Sequence, residues 1–325
     1  MGEGTVGETG GERRTFGVRL AEAVGRTGPL CAGIDPSAAL LAGWGLSDDA
    51  AGLGAFGERC VDAFAGVVPV VKPQVAFFER HGAAGLAAFE SLTAAARAAG
   101  LLVIADAKRG DIGSTMEAYA SAWLDDTSPL AGDAVTALPY LGLGSLRPMV
   151  DRAAATGRGV IVVVRSSNPE GRPLQEARTG AGAGRDPGPS VEDLLLGQIA
   201  ALNGGGSVPP GTVGAVVGAT LAPSAFDLGT LGGPILAPGL GAQGATPEDV
   251  AALFGGCPPG SVVASSSRSV LTAGPDVASL RRAATAARDE VAAALASVGR
   301  PRTATGGRGA ASWPGSGPRW PPPGG

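Results

Sequence analysis

Short apolar runs alternate along the chain with segments in which apolar residues recur at helical spacing. The runs are rich in branched side chains, which is typical of strands buried on both faces of a parallel sheet. The eight predicted strands cover residues 30–36, 67–79, 101–105, 133–140, 158–168, 214–220, 234–239 and 261–267. The predicted helices cover residues 15–26, 51–66, 82–100, 114–126, 144–156, 191–202, 222–228 and 276–298, and a further helix begins at Thr246.

This alternation of strands and helices determines the predicted fold. Eight strands, each followed by a helix or a helix-like segment, favour a single α/β domain with the architecture of a (β/α)8 TIM barrel. A doubly wound sheet is the alternative, but its GxGxxG fingerprint should follow the first strand, where the chain reads Ile34-Asp35-Pro36-Ser37. The barrel is predicted over residues 15–298 of the 325.

Three segments lack the apolar pattern of the rest. Residues 1–14 and the glycine- and proline-rich residues 299–325 are predicted to be disordered tails. Residues 169–189, which are rich in Gly, Pro and Arg, are predicted to form a flexible insertion after the fifth strand. Which residues of this insertion close over a ligand is left open by the sequence.

Composition narrows the class of protein. Hydrophobic residues make up 44% of the chain and the net charge is −4, as expected of a soluble globular protein that does not bind nucleic acid. No segment offers the roughly 18 apolar residues of a membrane helix, and the N-terminus lacks the apolar core of a signal peptide. Three scattered cysteines without a CxxC pair favour a reducing, cytoplasmic setting.

The single histidine excludes several kinds of catalytic site. His81 is the only one in the chain, so Ser-His-Asp hydrolysis, Cys-His proteolysis and polyhistidine metal sites are excluded. Its position just before the alanine-rich segment 82–100 favours a role at a helix start or on the surface.

Charged residues gather where the third strand ends. Asp106 and Lys108 are two positions apart, so on a continuing strand both side chains lie on one face, with Cα atoms roughly 6 to 7 Å apart. Asp111 follows beyond Gly110, where the chain must turn. An ordinary solvated turn is the alternative, but the carboxyl ends of buried parallel strands are where α/β folds place their chemistry.

A further lysine interrupts the second strand. Lys72 lies within an otherwise apolar run, and a buried ammonium group needs an anion because a lone charge in a medium of low dielectric costs several kcal/mol. The aspartates at the ends of neighbouring strands are the available partners. The alternative is a lysine whose ammonium group reaches the rim of the barrel.

The last two strands end in sequences typical of a phosphate site. A glycine-rich loop with Gly239, Gly241 and Gly244 follows the seventh strand, and Arg268 follows the eighth. In TIM barrels these two loops commonly bind phosphate through backbone N–H groups, and the guanidinium group of an arginine can add a fork of donors.

Together these motifs resemble the orotidine 5′-phosphate decarboxylase family. The motif Asp106-x-Lys108-x-x-Asp111, Lys72, the glycine-rich loop and Arg268 carry the resemblance. It is closest to a second subfamily found in mycobacteria and other bacteria, through the segment DAKRGDIGST and a serine-asparagine-proline turn. It covers about residues 15–298 and implies decarboxylation of orotidine 5′-phosphate to UMP in pyrimidine biosynthesis, without a cofactor or a metal ion.

The resemblance also implies a role for each matching residue. Lys108 would be the proton donor, with Asp106 beside the substrate carboxylate, and Asp111 would enter the site of the neighbouring subunit in an obligatory homodimer. Lys72 would join the charged network and the sugar. The substrate-binding residues would be Asp35 for the ribose, Ile112 and Thr115 near the ligand, Ser167 for the pyrimidine, and Gln243 and Arg268 for the phosphate.

One departure and two alternatives accompany the resemblance. Relatives often have Thr-Ser-Asn where this chain has Ser166-Ser167-Asn168, a change that keeps the hydroxyl groups. The nearest alternative is a magnesium-dependent sugar-phosphate decarboxylase of the same superfamily, which would need additional acidic ligands. The other is a non-catalytic barrel that binds a phosphate ligand.

Overall fold

The computed structural model describes residues 13–180, 188–204, 211–222 and 226–298. Eight parallel strands pair in sequence order and close into a barrel, because β8 pairs with β1, and this confirms the predicted TIM barrel. The strands are β1 Leu30–Ile34, β2 Val70–Pro73, β3 Leu102–Arg109, β4 Ala134–Ala137, β5 Gly159–Arg165, β6 Val213–Val217, β7 Ile235–Pro238 and β8 Val262–Ser266.

Helices surround the barrel between successive strands. They are α1 Phe16–Thr27, α2 Ala38–Gly43, α3 Ala50–Phe64, α4 Ala76–Glu79, α5 Gly82–Ala98, α6 Gly113–Leu124, α7 Arg147–Thr156, α8 Arg172–Gln175, α9 Val191–Leu202, α10 Pro247–Phe254, α11 Arg268–Leu271 and α12 Val277–Val298. Short 3-10 helices cover Leu143–Leu146, Pro169–Gly171 and Leu228–Thr230. Among the described helices, none has the length and apolarity that crossing a membrane would require.

The barrel has an inner core that is closed at one end. Inward side chains from the strands form one cluster, and Phe16 and Leu20 of α1 pack against it from the N-terminal end of the strands. Arg19 of the same helix binds Asp133, which precedes β4, with 2.5 Å between Nη1 and Oδ1. Because α1 closes this end, the interior is open to ligands only at the carboxyl ends of the strands.

The strand ends differ from the predicted ones throughout, and the second and third strands show how. The second was predicted over residues 67–79, but β2 covers Val70–Pro73, a single bridge joins Gln74 to Asp106, and α4 follows. The third was predicted to end at Ala105, but β3 continues to Arg109. Asp106 and Lys108 of this extension bind each other in the barrel, and Arg109 binds Glu79 of α4, so charge does not end the strand.

Some predicted helices and loops also differ. The helix predicted over residues 222–228 is wrong in its described part, since Ala222 and Phe226 are not helical and the nearest helical turn is 3-10, at Leu228–Thr230. Residues 223–225 lie outside the described residues. The insertion 169–189 begins with short helical turns and pairs Arg178 with Ser190. Residues 181–187, and residues 1–12 and 299–325 of the predicted tails, are outside the described part of the chain.

Candidate active site

A cavity of about 420 Å³ opens at the carboxyl ends of the strands. Every strand, or the loop that follows it, contributes to its wall. The predicted site residues that line it are Asp35, Lys72, Asp106, Lys108, Ser167, Gly239, Gln243 and Arg268. Residues from both ends of the sequence therefore meet in one concave site, as the barrel prediction requires.

Asp106 is the centre of a buried charge network in this cavity. Its Oδ2 accepts hydrogen bonds from Lys72 Nζ at 2.8 Å and from Gln74 Nε2 at 3.2 Å. Its Oδ1 accepts from Lys108 Nζ at 2.6 Å and from Thr136 Oγ1 at 2.8 Å. Asp106 is 6% exposed and Lys72 is 7% exposed, so Lys72 is buried against its anion and does not reach the rim.

The electrostatics of this network keep both buried partners ionised. Burial alone would raise the pKa of Asp106, but the two lysines hold it well below its ordinary value. Burial likewise favours the neutral form of Lys72, yet the pKa of Lys72 lies above its ordinary value because Asp106 and Asp35 are close. The site thus presents fixed charges in a water-poor setting, where their fields are strong.

The backbone at Lys108 has an unusual conformation. Its φ is 48°, in the left-handed region, and it is the one non-glycine residue of the described chain with a positive φ. The Lys108 N–H donates to Thr136 Oγ1 at 2.9 Å, so Thr136 holds both the backbone of Lys108 and the carboxylate of Asp106. The ammonium group remains partly open to the cavity, because 44% of the side chain is exposed.

Asp35 follows β1 and lies on the cavity wall. Its Oδ2 accepts a hydrogen bond from the hydroxyl of Ser267, the residue that follows β8. Its Oδ1 is buried and makes no hydrogen bond to any described residue. Asp35 therefore joins the ends of β1 and β8 at the edge of the charge network.

The loops after β7 and β8 form the opposite wall. Arg268 lies on the cavity without an ion pair to any residue in the described part of the chain, and Ser167 Oγ donates to Gln243 Oε1 at 2.7 Å. The N–H groups of Gly241 and Gly244 donate within the loop, to Ala245 O at 2.9 Å and Gly241 O at 2.8 Å.

The three glycines of this loop therefore act through their conformation. Gly239, Gly241 and Gly244 have φ values of 119°, 75° and 94°, a region that favours glycine. The N–H groups of Gly241 and Gly244 are bonded within the loop, so these two residues shape it, and donation from the loop to a phosphate stays a prediction.

Five predicted site residues do not line the cavity of this single chain: Gly241 and Gly244 of the loop after β7, and Asp111, Ile112 and Thr115. Asp111, Ile112 and Thr115 are on the rim beyond β3, where Asp111 Oδ1 accepts the N–H of Ile112 at 2.8 Å. Ile112 is 62% exposed, and beside it the loop after β4 exposes apolar side chains at Leu138 (40%), Tyr140 (79%) and Leu141 (53%). The two loops are joined by a hydrogen bond from Leu138 N to Arg109 O at 2.8 Å.

Sequence reasoning missed several residues that support the site. Thr136 and Gln74 complete the set of hydrogen-bond donors around Asp106. A polar residue in an otherwise apolar strand is the sequence signal that could have indicated the role of Thr136. Arg165, at the end of β5, is buried and binds Glu192 of α9, with 2.6 Å between Nε and Oε2. Its Nη1 also donates to Ala222 O at 2.9 Å. No spacing in the sequence indicates that Arg165 and Glu192 form a pair.

The described residues contain no group of three or more His, Cys, Asp or Glu side chains arranged to hold a metal ion. Asp106 is instead paired with Lys72 and Lys108, which compete with any cation for its carboxylate. The chemistry that this arrangement supports uses fixed charges and an ammonium proton.

Comparisons with known proteins agree on one family. Residues 28–283 match the model described as the Orotidine 5′-phosphate decarboxylase / HUMPS family. The chain is 53% identical over 270 residues to the orotidine 5′-phosphate decarboxylase of Salinispora arenicola, and 53% identical over 270 residues to that of Streptomyces coelicolor. Each alignment covers 83% of this chain and 94% of the relative.

Solved structures give the same result. A crystal structure from Streptomyces avermitilis, assigned to the same activity, is 50% identical with a TM-score of 0.82 and covers 90% of this chain and 100% of that one. The OMP decarboxylase of Leishmania donovani is 27% identical with a TM-score of 0.64, covering 86% of this chain and 99% of that one.

Proposed function

The chain belongs to the orotidine 5′-phosphate decarboxylase / HUMPS family, and we propose that it converts orotidine 5′-phosphate to UMP and carbon dioxide. The observation that carries the proposal is the buried network in which Lys72 and Lys108 bind opposite oxygens of Asp106 within a cavity. A barrel that only bound a phosphate ligand would have no need of such a costly cluster of charges.

The proposed orientation of the substrate follows the chemistry of the cavity walls. Its phosphate lies against Arg268 and Gln243, because the guanidinium group of Arg268 supplies unused donors at that end. The ribose lies near Asp35 and Lys72, and Ser167 meets the pyrimidine. This places the carboxylate on C6 near Asp106, with the ammonium group of Lys108 beside the same carbon.

The reaction then needs only one bond cleavage and one proton transfer. The bond between C6 and the carboxylate breaks, carbon dioxide leaves, and the electron pair stays on C6 as a carbanion. The positive charge of Lys108 stabilises this carbanion, and its ammonium group donates the proton that forms the new C–H bond. Asp106 disfavours the substrate carboxylate and keeps Lys108 in place, and the neutral lysine regains a proton from water.

Binding of the phosphate far from the reacting carbon has a part in this scheme. The contacts to Arg268 and Gln243 do not change during the bond cleavage, so they supply binding energy that orders the charges around C6.

No cofactor takes part in the proposed reaction. The three free cysteines support a reducing, cytoplasmic location for the enzyme.

The magnesium-dependent sugar-phosphate decarboxylase remains the competing enzyme of this superfamily. It would need acidic metal ligands, whereas strand β2 supplies Lys72. The test is the loss of ultraviolet absorbance of orotidine 5′-phosphate with purified protein, in the presence and absence of a chelator. We expect equal rates in both samples. An inactive protein, or activity abolished by the chelator, would contradict the proposal.

We also propose that the active form is a homodimer in which Asp111 acts in the partner's site. The support is the set of exposed apolar side chains at Ile112, Leu138, Tyr140 and Leu141, on two hydrogen-bonded segments next to Asp111, since exposed apolar surface often marks an interface. A twofold interface on this surface would carry Asp111 from its own rim toward a neighbouring cavity.

Mixing two inactive variants tests the shared site. In a dimer of Lys108→Ala with Asp111→Ala, one of the two sites has both defects and the other has neither. After subunits exchange at random, we expect recovery of about one quarter of the wild-type activity. Mixtures that stay as inactive as their components, under conditions where exchange is demonstrated, would contradict the role of Asp111 across the interface.

A further inference from the structure

Ser267 and Asp35 join the two strands at which the barrel closes. Ser267 follows β8 and Asp35 follows β1, and these strands pair with Ala32 opposite Ser266. The Ser267 hydroxyl donates to Asp35 Oδ2, and both residues lie on the cavity wall. A hydroxyl that donates to a carboxylate forms a charge-assisted hydrogen bond, which is stronger than one between neutral groups.

Gly33 supplies the space for this contact. A Cβ atom at position 33 would lie 2.0 Å from Ser267 Oγ and 2.8 Å from Ser267 Cβ, so any other residue would displace the hydroxyl. Gly33 is not among the glycines with positive φ, so its backbone conformation does not demand glycine. The close approach of Ser267 is therefore the physical reason for glycine here.

The contact determines which part of Asp35 can meet a ligand. Oδ1 is buried and has no hydrogen-bond partner among the described residues, whereas Oδ2 accepts from Ser267, which also lines the cavity. The last torsion of an aspartate is broad, and a carboxylate on a cavity wall can turn unless something holds it. Ser267 holds it, and Oδ2 still has a lone pair to accept a second hydrogen bond.

We propose that Ser267 is a positioning residue that directs Asp35 Oδ2 toward one hydroxyl of the substrate's sugar, and so sets the preference for a nucleotide that carries this hydroxyl over the deoxy analogue that lacks it. This inference rests on the proposed function, because it takes a nucleotide as the ligand. A cavity that reads a hydroxyl through a prearranged acceptor discriminates strongly against a ligand that lacks it, since the acceptor is then left unpaired.

The experiment measures binding of UMP, 2′-deoxy-UMP and 3′-deoxy-UMP by calorimetry, which does not depend on turnover. The variants are Ser267→Ala and the matched control Ser266→Ala, whose hydroxyl pairs with Ser269 instead. We expect the wild type to prefer UMP over one deoxy analogue, and Ser267→Ala to reduce that preference about tenfold. The control should keep it.

A second background separates positioning from direct contact. In Asp35→Ala, adding Ser267→Ala should not reduce the preference for UMP further, because Ser267 acts through Asp35. An unchanged preference in Ser267→Ala, or equal binding of all three nucleotides by the wild type, would overturn the role of Ser267. Neither result would contradict the proposed decarboxylase activity. A wild type that neither binds UMP nor consumes orotidine 5′-phosphate would overturn the proposed function, and this inference with it.

Discussion

Lys108 turns back onto Asp106, two residues earlier on the same strand, so that Lys108 Nζ lies 2.6 Å from Asp106 Oδ1. The lysine does so from a left-handed backbone conformation with a φ of 48°. This conformation costs a residue with a Cβ atom about 1 kcal/mol or more. The strain lies at the residue that we propose as the proton donor, which Asp106 and Thr136 hold in place.

The strain at Lys108 can be measured by substitution. We expect Lys108→Gly to have a free energy of unfolding about 1 kcal/mol greater than that of Lys108→Ala, because glycine adopts this conformation without a steric penalty. Urea denaturation of the two variants gives the comparison. The matched control is Ala107→Gly, one residue earlier and without a positive φ, which should lower the free energy of unfolding. A Lys108→Ala variant as stable as Lys108→Gly would contradict the claim that the backbone at Lys108 is strained.

The pair of Arg165 and Glu192 is expected to stabilise the fold around the site. Arg165→Met leaves a buried carboxylate without its counter-charge, so we expect a loss of about 3 to 5 kcal/mol at neutral pH. The double variant Arg165→Met/Glu192→Gln should recover much of this loss. A double variant less stable than Arg165→Met alone would contradict the account.

The same variant should respond to pH. Burial already raises the pKa of Glu192, and Arg165 opposes this effect. In Arg165→Met the pKa of Glu192 rises further, so the folded state binds a proton more readily than the unfolded state. Stability lost at neutral pH should therefore return as the pH falls through this raised pKa. Denaturation curves between pH 8 and pH 5, referred to the wild type, give the measurement.

Arg268 is expected to act on binding. Its guanidinium group lies at the cavity wall opposite the charge network, and a charged hydrogen bond to phosphate contributes about 1.5 to 3 kcal/mol. We therefore expect Arg268→Ala to raise KM about 10- to 100-fold, with a smaller effect on kcat. Steady-state kinetics check the split, and an unchanged KM would remove Arg268 from the phosphate site.

The barrel was predictable because a strand buried on both faces leaves a plain apolar run in the sequence. The exact strand ends were not, since Asp106 and Lys108 are charged residues that nevertheless continue β3. Their partners come from other strands, as Thr136 does from β4. The sequence does not reveal which inward side chains of neighbouring strands lie at the same height in the barrel.

The candidate site was predictable where its residues form one local motif. Asp106 and Lys108 lie on one segment, and the spacing of two brings them together. The contact of Asp35 with Ser267 joins residues 232 positions apart, and it depends on the absence of a side chain at Gly33. Such a contact follows from barrel closure, which becomes visible only when the strand pairing is known.

The central claim is that the ammonium group of Lys108, held by Asp106, protonates the carbon that loses carbon dioxide. Its most direct test is the kcat of Lys108→Ala for orotidine 5′-phosphate, measured with a variant whose circular dichroism shows a retained fold. We expect kcat to fall at least about 10⁴-fold, because both the proton donor and the charge that stabilises the carbanion are lost. A folded Lys108→Ala variant with a near-normal kcat would contradict the account.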